Sequence, residues 1–175
     1  MGVVRRCEEL GCKGVEYVLV REKAMEAGDL TLLVRDIAAA VRQAGTRVLV
    51  AERADVALAA GADGVHLSGR ADELTPEQVR RVMPGAVVSV SCHTVPEVRR
   101  AAEGGASLVL FAPIFGKVVD GMEVTVGVGL DKLREACFAS GAVPLLALGG
   151  VTEESAEPCV RAGAAGVAGI RMFFR

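Results

Sequence analysis

The sequence has no tryptophan, one tyrosine and five phenylalanines, so aromatics make up 3% of its 175 residues. Little is therefore present on which nucleic-acid bases would stack. An excess of one charge is missing too. Lys and Arg number 20 against 22 Asp and Glu, the net charge is −2, and no long basic run occurs. Both deficits argue against a nucleic-acid partner. No apolar run is long enough to cross a membrane, and the opening MGVVRRCEELGCKG lacks the apolar stretch of a secretory signal. The five cysteines (Cys7, Cys12, Cys92, Cys137, Cys159) are odd in number, and no two have C-x-x-C spacing. That speaks against a zinc or dithiol site and for reduced thiols in a cytoplasmic protein. No Pro- or Ser-rich linker divides the chain, whose length suits one domain over 1–175.

What is abundant is Ala, Val, Leu and Gly, within a hydrophobic fraction of 51%. This composition suits buried parallel strands beneath small-residue helices. One phrase recurs: Gly11-Cys-Lys-Gly-Val-Glu-Tyr-Val, Gly61-Ala-Asp-Gly-Val-His-Leu, Gly105-Ala-Ser-Leu-Val-Leu-Phe and Gly163-Ala-Ala-Gly-Val-Ala-Gly. Each begins with a glycine suited to stopping a helix, then runs into a short apolar strand. The spacing predicts strands at 16–20, 47–51, 64–67, 86–90, 107–111, 144–148 and 166–170. Helices are expected at 29–44, 54–60, 75–82, 94–103, 129–139 and 152–162, with Asp29, Thr75, Thr94 and Thr152 as N-caps and Pro76 at a first helical position. Such alternation means an α/β fold with a parallel sheet. A complete barrel of this kind has eight strands and rarely fewer than roughly 200 residues. The chain opens in a helical stretch, VVRRCEEL, and stops soon after the last strand, at MFFR. The expectation is a TIM (β/α)8-type barrel lacking its first strand and last helix. Its two unpaired edges would favour a homo-oligomer.

In such folds the chemistry sits just after the strands. Arg21, Glu22 and Lys23 follow the first; two cations there suit a phosphate or diphosphate, or form a solvated charged turn. Glu52, Arg53 and Asp55 follow the second, and Asp72 the third. Two carboxylates on adjacent loops suit a Mg2+ ion shared with phosphate oxygens, although Asp55 also reads as a helix-start acid. His66 lies within its strand and reads as an interior histidine. Ser91, His93 and Thr94 follow the fourth strand. Ser91 and His93 share a face, but no carboxylate is in view to orient the histidine, which argues against a Ser-His-Asp triad. Ala112-Pro-Ile-Phe ends the fifth strand. A long loop from Gly116 to Gly129 follows, with Lys117, Asp120 and Thr125, and such loops are usually functional or mobile. Gly149 and Gly150, then Gly169, end the last two strands, where barrels commonly hold phosphate on backbone N–H groups.

Together these pieces resemble the thiamine phosphate synthase and thiazole tautomerase superfamily from Val18 to Phe173. The carriers are VLVREK (18–23), ADVALAAGADGVHL (54–67), VSVSCHT (88–94), APIF (112–115), LGGVT (148–152) and AGAAGVAGI (162–170). The resemblance implies a cytoplasmic transferase of thiamine biosynthesis that joins hydroxymethylpyrimidine diphosphate to thiazole phosphate with release of diphosphate. It implies catalytic roles for Arg21, Lys23 and Ser91, the first two on the diphosphate and the third on the leaving group. Gly149, Gly150, Gly169 and Ile170 would bind the thiazole phosphate, and Glu52 and Asp72 would hold Mg2+. Several positions depart from the family pattern. Ala51-Glu52-Arg53 stands for Asn-Asp-Arg, Ala71 for the second metal Asp with Asp72 beside it, and Gly116-Lys-Val-Val for a Thr-rich stretch ending in Lys. Pro113 stands where a tautomerase has His. The alternatives are a divergent non-synthase paralogue, thiazole tautomerase-like or binding a phosphorylated ligand, and a non-catalytic interaction domain.

Overall fold

Cys7, Leu10 and Gly11 recur at helical spacing and form the buried stripe of the first helix, α1 (Val3–Cys12). The computed structural model describes residues 2–119 and 122–173, so Asp120 lies outside the described residues. The chain divides into two units, Met1–Val88 and Ser89–Arg175.

The first unit continues with β1 (Tyr17–Val20), α2 (Ala27–Val41), a 3-10 turn (Arg42–Ala44), β2 (Arg47–Ala51), α3 (Ala54–Ala60), β3 (Gly64–Leu67) and α4 (Pro76–Val82). It reaches the start of β4 (Val87–Cys92). β1 pairs in parallel with β2, and β2 with β3, with Val20 opposite Val50 and Ala51 opposite His66. All four residues of β3 are buried, as parallel strands covered on both faces should be. The repeated phrase has a local cause here. Gly61 closes α3 in the left-handed conformation at φ 69°. The Asp63 carboxylate accepts from the Val48 amide at 2.7 Å. A Cβ on Gly64 would lie 1.8 Å from the Val87 carbonyl oxygen, so only glycine fits where that strand passes.

The second unit carries most of β4, then α5 (Val95–Glu103), β5 (Leu108–Phe111), β6 (Lys117–Val119), β7 (Met122–Thr125), α6 (Gly129–Ser140), β8 (Leu145–Ala147), α7 (Glu153–Arg161) and β9 (Gly166–Val167). Its parallel ladder runs β4–β5–β8–β9, and β6 and β7 form a separate antiparallel hairpin. Parallel strands, each up to β8 followed by a helix before the next parallel strand, make this an α/β fold of the TIM (β/α)8 type. α1 stands ahead of β1, and a turn at 171–173 follows β9. Among the described residues no helix is long and apolar enough to cross a membrane.

Four sequence expectations change. Gly11 does not stop a helix; it lies inside α1, where a Cβ would come within 3.0 Å of the Thr46 hydroxyl, and Gly14 at φ 85° takes the left-handed position. Asp29 is not an N-cap, because α2 starts earlier, after Glu26; Asp29 sits in its first turn, where the helix dipole favours an acid. The stretch 116–129 contains the β6–β7 hairpin rather than only loop. The last two strands are shorter than 144–148 and 166–170, because their ends leave the ladder at the glycine corners. Thr75, Thr94 and Thr152 cap as expected, each within a reciprocal capping box.

Candidate functional site

In the first unit, the ends of β1 and β2 build a charged hollow of about 200 Å3 lined by Arg21, Lys23, Leu30, Ala51, Glu52 and Arg53, with Glu22. The Lys23 ammonium lies 3.3 Å from the Glu52 carboxylate. Arg53 instead grips Asp55 with two bonds of 2.9 and 2.7 Å. That fork lowers the Asp55 pKa against the opposing effect of burial. Glu52 follows its strand with φ 61°, a left-handed conformation uncommon for a long side chain, and its amide donates to the His66 carbonyl at 2.9 Å. His66 is 7% exposed. Burial first, and Arg21 second, push its pKa down to about 4, against an opposing pull from Glu52. The histidine is therefore neutral at pH 7, and the cations lining the hollow are Arg21, Lys23 and the Asp55-paired Arg53.

Asp72 stands apart from this arrangement. Its side chain is 80% exposed and lies 3.3 Å from the Arg70 guanidinium. The carboxylate that organises the loop after β3 is Glu73, which the sequence reading did not single out. One of its oxygens accepts from the Ser68 hydroxyl at 2.9 Å and the Gly69 amide at 3.1 Å. Its other oxygen is buried without a hydrogen-bond partner among the described residues. Glu52 and Asp72 pair with different cations, and no group of three or more His, Cys, Asp or Glu among the described residues is placed to hold a metal. As arranged, these residues do not fit a preformed Mg2+ site.

In the second unit, Ser91 is half-buried near the end of β4, and the buried Cys92 thiol has its pKa pushed up to about 12 by burial, which makes it inert as a nucleophile. His93 and Thr94 begin the capping box of α5. Both of their amides donate to one Glu97 oxygen, at 2.6 and 3.1 Å. Burial raises the Glu97 pKa, but these amide bonds outweigh it and hold the carboxyl low. The His93 ring bonds through Nδ1 to the Ala112 carbonyl at 2.8 Å. A capping-box pattern, Thr94-x-x-Glu97, was visible in the sequence; the bond to Ala112 was not.

The glycine corners follow adjacent strands. Ala147 pairs with Val167, so Gly149 and Gly169 each lie two residues beyond the same rung. Gly149 and Gly150 have φ of 90° and 69°. A Cβ on Gly149 would meet Pro113 at 2.8 Å, and one on Gly150 the Phe115 carbonyl oxygen at 2.7 Å. The corner is tied to that segment by bonds from the Ile114 amide to the Leu148 carbonyl and from the Phe115 amide to the Gly149 carbonyl, both 2.9 Å. Among the described residues the amides of Gly149 and Gly150 have no hydrogen-bond acceptor. Thr152 then caps α7. Beyond Gly169, Ile170 is 77% exposed, and the Phe173 amide closes a turn on its carbonyl at 3.1 Å.

Comparison with known proteins agrees with these motifs. The family described as thiamine monophosphate synthase matches residues 2–173. The thiamine-phosphate synthase of Methanoregula boonei is 37% identical over 156 residues, covering 89% of this chain and 70% of that protein. The thiamine-phosphate synthase of Methanoculleus marisnigri is 36% identical over 156 residues, covering 89% and 72%. The solved thiamine phosphate pyrophosphorylase of Pyrococcus furiosus superposes with a TM-score of 0.83 at 22% identity, covering 97% of this chain and 79% of that one. The chain belongs to the thiamine monophosphate synthase family.

Proposed function

We propose that this chain joins hydroxymethylpyrimidine diphosphate to thiazole phosphate and releases diphosphate. The observation that carries the reading is the hollow bordered by Arg21 and Lys23 in the first unit. Two cations at one strand end suit the diphosphate, whose charge grows as the bond to the pyrimidine methylene breaks. The electron pair of that C–O bond leaves with the diphosphate, and the pyrimidine cation is captured by the thiazole ring nitrogen. Ser91 donates its hydroxyl hydrogen to the departing group. The amides of Gly149 and Gly150, with the backbone at Gly169 and Ile170, cradle the thiazole phosphate, and the N-terminus of α7 adds its partial positive charge. Family members of this class use Mg2+. Because Glu52 and Asp72 do not form a ready cation site here, the reading rests on the chain's own cations.

The test supplies both substrates and measures inorganic diphosphate and the coupled product together. Release of diphosphate that depends on the thiazole phosphate, with equal yield of product, is expected. Absence of product at any Mg2+ concentration would overturn the reading.

A further inference from the structure

His93 is held in place at two points that the capping of α5 does not require together. Its backbone amide is fixed by Glu97 at 2.6 Å, and its ring by the Ala112 carbonyl at 2.8 Å. A carbonyl oxygen only accepts, so the ring proton in that bond is on Nδ1. In the neutral ring, Nε2 then carries a bare lone pair. The ring is exposed, and Nε2 has no hydrogen-bond partner among the described residues. Ala112 is itself tied back by its amide to the Cys92 carbonyl at 3.1 Å, so the acceptor that orients the ring is part of the strand ends. The side chain thus stands just beyond β4, two residues after Ser91, with one nitrogen anchored and the other open.

Resting on the synthase reading, we propose that His93 Nε2 is a hydrogen-bond acceptor for the amino group of the pyrimidine substrate. The chemistry of the two substrates selects that group. Phosphate and diphosphate oxygens mainly accept near neutral pH, and the thiazole ring has no N–H or O–H. The amino group on the pyrimidine ring is the one neutral donor. It is conjugated with the carbon that loses diphosphate, so positive charge reaches its nitrogen as the bond breaks and its N–H becomes a stronger donor. A preset acceptor then stabilises the transition state more than the ground state.

Two variants separate this role from a structural clamp. Asparagine presents an N–H near the Nδ1 position and keeps the bond to Ala112 but has nothing at Nε2. Glutamine presents an acceptor near Nε2 and loses the clamp. His93→Asn is expected to lower kcat about 10- to 100-fold with little change in KM, and His93→Gln to retain more activity. The reverse order, with full activity in His93→Asn, overturns the proposal. A second measurement does not need turnover. The sequence has two histidines, so nitrogen NMR with His93→Asn as the assignment control resolves the His93 ring. An Nδ1–H tautomer is expected, with the Nε2 signal moving on addition of hydroxymethylpyrimidine diphosphate and not of thiazole phosphate. An Nε2–H tautomer, or no response to the pyrimidine, overturns it. If the wild type makes no product, the synthase reading fails on that result alone, while the titration still decides whether His93 receives the pyrimidine.

Discussion

The Lys23 ammonium and the Glu52 carboxylate lie 3.3 Å apart, joining the ends of β1 and β2. Lys23 is 54% exposed and Glu52 25%. A pair in that setting contributes little, on the order of 0–1 kcal/mol. It is therefore weak enough for a diphosphate to displace. The same carboxylate that resembles a metal ligand in sequence thus pairs with the cation proposed to bind the diphosphate.

Glu52→Gln is expected to tighten binding of inorganic diphosphate severalfold without added Mg2+, because Lys23 loses its charged partner. Isothermal titration with and without EDTA measures this. Weaker binding in the variant without EDTA, with the difference from the wild type abolished by EDTA, would mean that Glu52 serves the anion through a metal after all.

Arg21→Ala is expected to lower kcat about 10²- to 10³-fold, the usual loss when one group facing developing negative charge is removed. Steady-state kinetics against both substrates checks it. A change confined to the KM for thiazole phosphate would show that Arg21 faces the other substrate.

Glu52 also has a backbone signature. At φ 61° a Glu is strained, whereas Asn adopts this region more readily. Glu52→Asn is expected to stabilise the fold by about 0.5–1 kcal/mol, read as a higher urea midpoint at unchanged slope. No gain would mean that the pairing with Lys23 outweighs the strain.

How far the sequence reached depended on the range of the interaction. The helix stops at Gly61 and the caps at Thr75, Thr94 and Thr152 are local, and local chemistry is written in consecutive residues. The strand order follows from alternation of strand and helix. Gly11 misled because a close approach by Thr46 and a left-handed turn both call for glycine. The hairpin of β6 and β7 was hidden because a Val- and Gly-rich segment becomes strand only when a partner pairs with it. The family motifs marked the strand ends, Arg21, Lys23 and the glycine corners. What they left out were side-chain meetings: Lys23 with Glu52 and His93 with Ala112 between loops, and Asp72 with Arg70 and Glu73 with Ser68 within the loop after β3. No spacing along the chain encodes those distances.

His66 gives a pH dependence with a definite sign. Its folded pKa is about 4, below the ordinary 6.5, chiefly through burial. Between those values the unfolded chain binds the proton and the folded chain does not, so stability is fully present above pH 6.5 and falls as pH drops toward 4. The loss amounts to about 3 kcal/mol at most. Urea titrations across this window, compared with His66→Gln, should show the wild-type slope and a flatter variant. A wild-type curve that rises toward acid pH would mean that the buried ring is protonated in the folded protein.

Gly149→Ala separates packing from phosphate binding at the last pair of corners. The new methyl would sit 2.8 Å from the Pro113 Cα and 2.9 Å from its Cβ, at a φ of 90°. Neither contact is the free end of a flexible chain, so backbone must move. Strain at the dihedral and the clash together should cost several kcal/mol. The variant is therefore expected to unfold at clearly lower denaturant, and its loss of thiazole phosphate binding alone would prove nothing about the cradle. Ile170→Pro is the cleaner probe. Ile170 is 77% exposed, and its amide is not used in a hydrogen bond among the described residues, so removing that N–H mainly deletes one donor. A roughly tenfold weaker affinity for thiazole phosphate, with unchanged stability and unchanged diphosphate binding, is the expected result. Equal loss for both anions would show that the corner after β9 does not distinguish them. No loss for either would remove Ile170 from the cradle.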